Sequence, residues 1–350
     1  MEDMEEINKE SSQDSIHLIN NLLNKIDKER EREILSRRFG LFERKETLEQ
    51  IGEMLGITRE RVRQLEKTIL VKIKTIASEN NIPELVKFND NIKLVLSDNG
   101  GLLDINHLTN LISKTTDKIE QSRIAFISLM SNDFIVIPES DLYYTIIGLK
   151  SKFNEKKLTS TINNLVKLIS DNNSPCTIND LMKITGNTDE KQLSSLANSS
   201  KLIAYLNNTW GLVKWPTVNP KNIRDKIYVI LKENGKQMHF SEISNSIKKS
   251  DFKRKNVTTQ AIHNELIKDK RFVLVGRGIY ALKEWGYQKG TVSDIITKIL
   301  KNSAKPMHKD EIVKIVLKDR FVKETTILLN LQNKKKFNRV AKATYSLNQK

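Results

Sequence analysis

The strongest constraint on this 350-residue chain is a degenerate repeat. KENGKQMHFSEISNSIKK resembles KNSAKPMHKDEIVKIVLK, which sets Met238-His239 and Met307-His308 69 residues apart, each just ahead of an amphipathic run. The same slot recurs more weakly in SPCTINDLMKIT at Thr177 and in GGLLDINHLTNLIS at Asp104. Each unit closes on a short helical run and a pair of apolar segments: NDFIVIPESDLYYTII, SKLIAYLNNTWGLVKW, KRFVLVGRGIYALKEW and KKKFNRVAKATYSLNQ. A recurring period means one supersecondary unit used again and again, each copy too small to hide its own apolar face.

Three helices followed by a two-stranded hairpin is the winged-helix order. The predicted fold is mainly α: an N-terminal helix-turn-helix domain followed by tandem winged-helix domains, α with short β-hairpin wings. The expected segments are an acidic disordered leader at 1–15, the helix-turn-helix at 16–80, and a degenerate winged helix at 83–150. Further winged helices are expected at 152–217, 219–287 and 290–350. The aromatics Trp210, Trp215, Tyr280, Trp285 and Tyr345 fall at hairpin positions expected to face each unit's core.

Ahead of the repeats, Leu18, Ile19, Leu22, Leu23 and Ile26 recur at helical spacing, and Ile34, Leu35 and Phe39 form a second such face. In ETLEQIGEMLGITRERVRQLEKTILVKIK, Thr47 stands three residues before Gln50, a capping-box signature for a helix start. Leu48, Ile51 and Leu55 line one face, and Gly52 lies where a second helix must come close. Gly56 supplies a turn with positive φ, Ile57 tucks beneath it, and Thr58 caps a helix whose Val62, Leu65, Ile69 and Ile73 point inward. Outward on the first turns stand Arg59, Glu60, Arg61, Arg63 and Gln64, the base-reading candidates, followed by Lys67. Arg bridges O6 and N7 of guanine, Gln does the same on adenine, and Glu accepts from the cytosine amine. Thr47, Leu48, Thr58 and Lys67 are candidates for the DNA backbone.

REREILSRRFGL followed by TLEQIGEMLGITRERVRQLEKTILVKIK resembles region 4 of the sigma-70 family across residues 28–74. The resemblance implies a reader of the −35 promoter element in which Arg59, Glu60, Arg63 and Gln64 touch bases and Thr47 and Leu48 approach phosphates. It also implies a grip on the flap of the RNA polymerase β subunit, with Leu18 to Phe39 supplying the polymerase-facing surface. A complete sigma factor carries region 2 ahead of region 4, and 27 residues precede this match. A protein that reads promoter DNA without opening it alone is therefore expected.

The third repeat, Asn222 to Tyr287, resembles the HARE-type winged helix through His239, the RFVLVGRGIYALKEW hairpin and Trp285. That module occurs in the δ subunit of some bacterial RNA polymerases and in chromatin and restriction proteins. Here Gly276-Arg277-Gly278 forms a hairpin tip that would place Arg277 in a minor groove. Thr258, Thr259, Gln260, His263 and Asn264 lie on a second possible recognition helix. In the fourth repeat, Lys334, Lys335, Lys336 and Arg339 make a basic turn suited to phosphates.

The net charge of +16 is unevenly placed. Residues 216–350 hold 30 Lys and Arg against 12 Asp and Glu, a net of +18, which leaves −2 for the rest. Such a block condenses onto phosphates and releases counterions without reading sequence. The expected partner is double-stranded DNA, with RNA polymerase beside it. Nothing suggests an enzyme: phosphate-cradling glycine loops, metal-ligand spacings, a nucleophile elbow and paired acids are all missing, so no cofactor and no metal are expected. The five histidines are isolated in sequence, and His239 and His308 share a repeat slot that suggests a helix-start role. The lone cysteine, Cys176, reads as structural. No apolar run nears the roughly 18 residues that span a bilayer, and the acidic start is unlike a secretory signal, so a cytoplasmic, nucleoid-associated bacterial protein is expected. The expected function is sequence-specific transcription regulation. The alternative is an architectural or defence-associated DNA-binding protein that never touches polymerase.

Overall fold

The computed structural model describes residues 14–79, 82–303 and 305–348. Residues 1–13 of the expected leader lie outside the described residues, and Asp14 and Ser15 already belong to a helix, α1 (14–24). The chain divides into two compact units, Met1–Lys214 and Trp215–Lys350, so the boundary falls where the charge changes character.

In the first unit α1 is followed by α2 (Glu29–Phe39), α3 (Leu48–Leu55) and α4 (Arg59–Glu79). Then come α5 (Pro83–Asp98), β1 (Leu102–Asp104), α6 (Ile105–Ser113), α7 (Lys118–Met130), β2 (Phe134–Ile137) and β3 (Ile146–Leu149). The next repeat holds α8 (Glu155–Asn172), α9 (Ile178–Thr185), α10 (Glu190–Ser199), β4 (Ile203–Leu206) and β5 (Thr209–Leu212). The second unit begins with α11 (Ile223–Asn234), β6 (Met238–His239), α12 (Phe240–Lys249), α13 (Thr259–Lys268), β7 (Phe272–Gly276) and β8 (Ile279–Leu282). It ends with α14 (Val292–Ser303), β9 (Met307–His308), α15 (Lys309–Asp319), α16 (Glu324–Leu331), β10 (Phe337–Ala341) and β11 (Thr344–Leu347). The chain is thus mainly helical with small antiparallel sheets.

The repeated slot is a repeated helix cap. Asp104 accepts from the backbone N–H groups of Asn106 and His107, and Thr177 forms a capping box with Asp180. His239 Nδ1 accepts from Ser241 N–H while Glu242 closes the box, and His308 Nδ1 accepts from Asp310 N–H. Each cap satisfies a donor that the helix start leaves unpaired. The residues just before the caps pair with the last strand of the same repeat: Leu103 with Ile147, Cys176 with Trp210, Met238 with Tyr280 and Met307 with Tyr345. Cys176 is fully buried at that bridge, and burial pushes its thiol up, which keeps it protonated and inert. Trp210 and Tyr280 are buried, whereas Trp215, Trp285 and Tyr345 are half-buried.

The sequence separates 16–80 from 83–150; the second segment has a core of its own around Ile92, Leu96, Leu108, Ile124 and Ile147, and α7 also reaches into the core of the first. Leu18, Leu22, Ile34, Leu35, Ile51, Val62, Ile69 and Ile73 pack together with Phe126, Ile127 and Met130 of α7. The Phe39 ring meets Phe126 edge-on, with centroids 5.0 Å apart. The cause lies in α7 itself, where Glu120, Ile124, Phe126, Ile127, Ser128 and Met130 are all buried; a helix apolar on more than one side must be covered on more than one side. The buried Glu120 carboxylate accepts from Ser15 Oγ at 2.7 Å, Ser113 Oγ at 2.9 Å and Arg123 Nη1 at 3.2 Å. A buried charge persists only when paired and hydrogen-bonded in this way. Arg123 also donates through Nε to the Leu41 carbonyl at 2.8 Å, tying α7 to the turn that follows α2.

The repeat expected at 152–217 is docked in the same unit. Ser195 Oγ donates to the Asn99 carbonyl at 2.9 Å, and Gly100, at φ +80, would drive a Cβ to 2.4 Å from the Gln192 backbone. Phe126→Ala should therefore lower the unfolding free energy by about 3–5 kcal/mol. Urea melts of the full chain, followed by circular dichroism and by hydrogen exchange on α1–α4, should show these helices losing protection together with α7.

Candidate nucleic-acid interface

The helix-turn-helix is built from α3 and α4. Thr47 Oγ1 accepts from Gln50 N–H at 3.2 Å while Gln50 Oε1 accepts from Thr47 N–H at 2.9 Å, so the start of α3 is fixed by a closed capping box. Gly56 ends α3 at φ +64, in the left-handed region, with open space around it. Gly52 answers a different demand, since a Cβ there would lie 2.7 Å from the Ile57 carbonyl oxygen. The first glycine is needed for proximity and the second for conformation. Thr58 Oγ1 then accepts from Arg61 N–H at 3.2 Å and starts α4. Arg30 donates to the Leu55 carbonyl at 2.8 Å, and Arg38 pairs with Glu66 at 3.2 Å, which fixes α2 against α3 and α4.

On α4 the side chains of Arg59, Glu60, Arg61, Arg63, Gln64 and Lys67 are all exposed, while Val62, Ile69 and Ile73 are buried. Arg63 grips Glu60 through two bonds of 2.7 and 2.9 Å, Arg59 reaches Glu49 at 3.3 Å, and Arg61 reaches Gln64 at 3.4 Å. The Arg63 guanidinium holds the Glu60 carboxyl below its usual range. These contacts pair the side chains with one another in solvent, where such ion pairs are weak. Thr47 and Thr58 are exposed beside this helix, and Leu48 is half-buried against the core.

Within the segment Leu18 to Phe39 the apolar residues are turned inward. Leu18, Ile19, Leu22, Leu23, Ile26, Ile34 and Leu35 are buried in the shared core because α4 and α7 cover them. What α1 and α2 turn outward is polar, including His17, Asn20, Asn24 and Arg30.

The four third helices of the repeats are not equivalent. Beyond Lys118 no residue of α7 is exposed, and α10 is exposed only at Glu190 and Lys191. By contrast α13 carries an open stripe of Gln260, Asn264 and Lys268, with Gln260 donating to Asn264 at 3.2 Å. The other members of that second candidate helix are engaged in the fold. Thr258 is the cap of α13, Thr259 meets Ser244 at 3.2 Å, and His263 packs between the rings of Phe240 and Tyr280. Arg277 is exposed at the hairpin turn, and Gly278 beside it faces the cap residue His239, where a Cβ would come to 2.5 Å. Lys334, Lys335, Lys336 and Arg339 are all exposed, with Lys336 paired to Asp294 at 3.3 Å. The hydrogen bonds from Thr291, with that contact beside them, hold the Asp294 carboxyl down at about 2.

Among the described residues, no group of three or more His, Cys, Asp and Glu could hold a metal, and no helix is long and apolar enough to cross a membrane. Sequence reasoning missed the exposed run Lys253-Arg254-Lys255 between α12 and α13, although its charge stands plainly in the chain. What hid it is that its support, Lys226, lies on α11.

Residues 28–75 match the family described as sigma-70, region 4. The RNA polymerase sigma factor sigB of Arabidopsis thaliana is 41% identical over 56 residues, which is 16% of this chain and 10% of that protein. The chain thus spans about a tenth of that relative's length. The helix-turn-helix built on α3 and α4 is similar to region 4 of sigma-70 factors, which supports a sigma-like, DNA-binding role in transcription for this segment.

The two glycines give separable predictions. Gly52→Ala should destabilise the protein by about 1–3 kcal/mol, because backbone stands in the way. Gly56→Ala should cost about 1–2 kcal/mol through conformation alone. Thermal melts of the two variants check the assignment.

Proposed function

We propose that the protein is a sequence-specific, sigma-like transcription regulator that reads a −35-type promoter element with α4 and works beside bacterial RNA polymerase. The observation that carries this reading is α4 itself: five exposed polar side chains, Arg59, Glu60, Arg61, Arg63 and Gln64, on a helix held by two glycines and two caps inside the region 4 match. Thr47, Leu48, Thr58 and Lys67 stand at the flanking phosphates. Polymerase contact, on the β flap or elsewhere, falls to the polar backs of α1 and α2.

The four repeats are winged helices in this reading, and the third is of the HARE type. The order of helix, strand or bridge, two helices and hairpin supports it, with the cap in the same slot each time. The two in the first unit brace the helix-turn-helix. The two in the second unit supply phosphate contacts through Arg277, Lys334, Lys335, Lys336 and Arg339. The function is binding and not catalysis.

Arg63→Ala should relax preference at one base pair by about 5- to 150-fold while leaving affinity for random duplexes nearly unchanged. Competition binding on a set of single-substitution duplexes measures it. Equal weakening on every sequence would remove α4 from base reading. RNA polymerase should co-purify with the tagged protein at low salt, and initiation in vitro should respond to it. Failure of both would leave a DNA-binding protein that works without polymerase.

A further inference from the structure

The end of α12 and the loop that joins it to α13 carry five cations in eight residues, Lys248, Lys249, Lys253, Arg254 and Lys255, against one acid, Asp251, and all six are exposed. Carboxylates on the neighbouring elements are engaged elsewhere: Glu265 pairs with Arg224, and Asp225 and Asp269 both pair with Arg271.

Two features of the loop are unusual. Arg254 sits at φ +54, in the left-handed region where glycine is at ease and a side chain is strained. A strained arginine where glycine would be comfortable points to a use for the guanidinium. Beneath it lies Lys226, a lysine only 3% exposed, whose ammonium donates to the Lys253 carbonyl at 2.7 Å and the Arg254 carbonyl at 2.9 Å. A lysine near the start of a helix opposes the helix dipole, and burial of an ammonium is unfavourable unless its donors are met. Lys226 meets these costs with the two carbonyls of this loop, so one buried cation fixes the backbone on which three exposed cations stand. Lys255 adds a bond from its ammonium to the Ser250 carbonyl at 3.0 Å, closing the loop on itself. The loop leads directly into α13, with its open stripe of Gln260, Asn264 and Lys268.

We propose that residues 248–255 form a preorganised clamp for the phosphate backbone of duplex DNA, with Arg254 as its principal cation and Lys226 as the positioning residue beneath it. The proposal rests on the reading of the protein as DNA-binding and adds to the phosphate contacts of the second unit a further, preorganised one. A fixed loop loses less conformational freedom on binding than a mobile lysine run, which is what the buried anchor contributes.

The test uses the full chain and a random-sequence duplex, with affinity measured by fluorescence anisotropy across a salt titration. Arg254→Gly keeps the backbone conformation and removes the guanidinium. Its melting temperature should equal or exceed that of the parent, while affinity falls about three- to tenfold and the slope of log K against log salt shrinks by about 0.9, the signature of one lost phosphate contact. Lys226→Met removes no exposed charge, yet it should weaken binding several-fold and flatten the slope. Should Lys226→Met fail to fold, Arg254→Gly and Lys253→Ser/Lys255→Ser still decide. Parental affinity and slope in Arg254→Gly would overturn the proposal. So would a change in sequence preference at constant slope, which would make Arg254 a base reader. Loss of DNA binding by the parent chain itself would instead overturn the DNA-binding reading, and the two failures are therefore distinct.

Discussion

The burial of α7 beneath the helix-turn-helix is the contact on which the first unit depends. Phe126, Ile127 and Met130 fill the space between α1, α2 and α4, and the Glu120–Arg123 pair joins the N-terminal helix, α6 and the turn at Leu41. A small helical domain buries too little surface to be stable by a wide margin, and the neighbouring repeat supplies what is missing. The consequence reaches function: a third helix that serves as core cannot serve as a recognition helix. In the first repeat α7 therefore braces α4, the second repeat docks on the first, and the open third helix α13 and the basic turns of the repeats lie in the second unit.

Charge follows the same division. In the first unit the exposed arginines of α4 are paired with neighbours in solvent, contacts weak enough to be traded for base edges under the proposed function. In the second unit the excess of +18 is carried on helices and turns alike, and under the proposed function it attracts phosphate of any sequence. Under the proposed function, sequence information and affinity are thus carried by different parts of the chain.

Much of this was legible in the residues. The capping box at Thr47, the glycines at 52 and 56 and the inward stripe of α4 are local signals, and local signals survive into structure because the atoms that satisfy them are a few residues away. The repeat slot at Asp104, Thr177, His239 and His308 was visible as spacing, and its physical content is a helix cap. What stayed hidden was long-range. The face of Leu18 to Ile26 reads as an amphipathic stripe whether it meets a partner or another part of the same chain, and only the fold reveals that α7 covers it. His263 looked free because its helix spacing says nothing of Phe240 and Tyr280 on either side. The three-residue basic run at Lys253 was plain, but its meaning depends on a lysine 27 residues earlier.

The central claim is that one helix of this chain reads bases while the remaining cations hold phosphate. Selection of binding sites by the full-length protein from a pool of random duplexes tests it most directly. A single short motif, recovered at any position in the duplex and embedded in otherwise unselected flanks, is the expected result. Two motifs at a fixed separation would contradict the account, because a second helix would then be reading sequence as well.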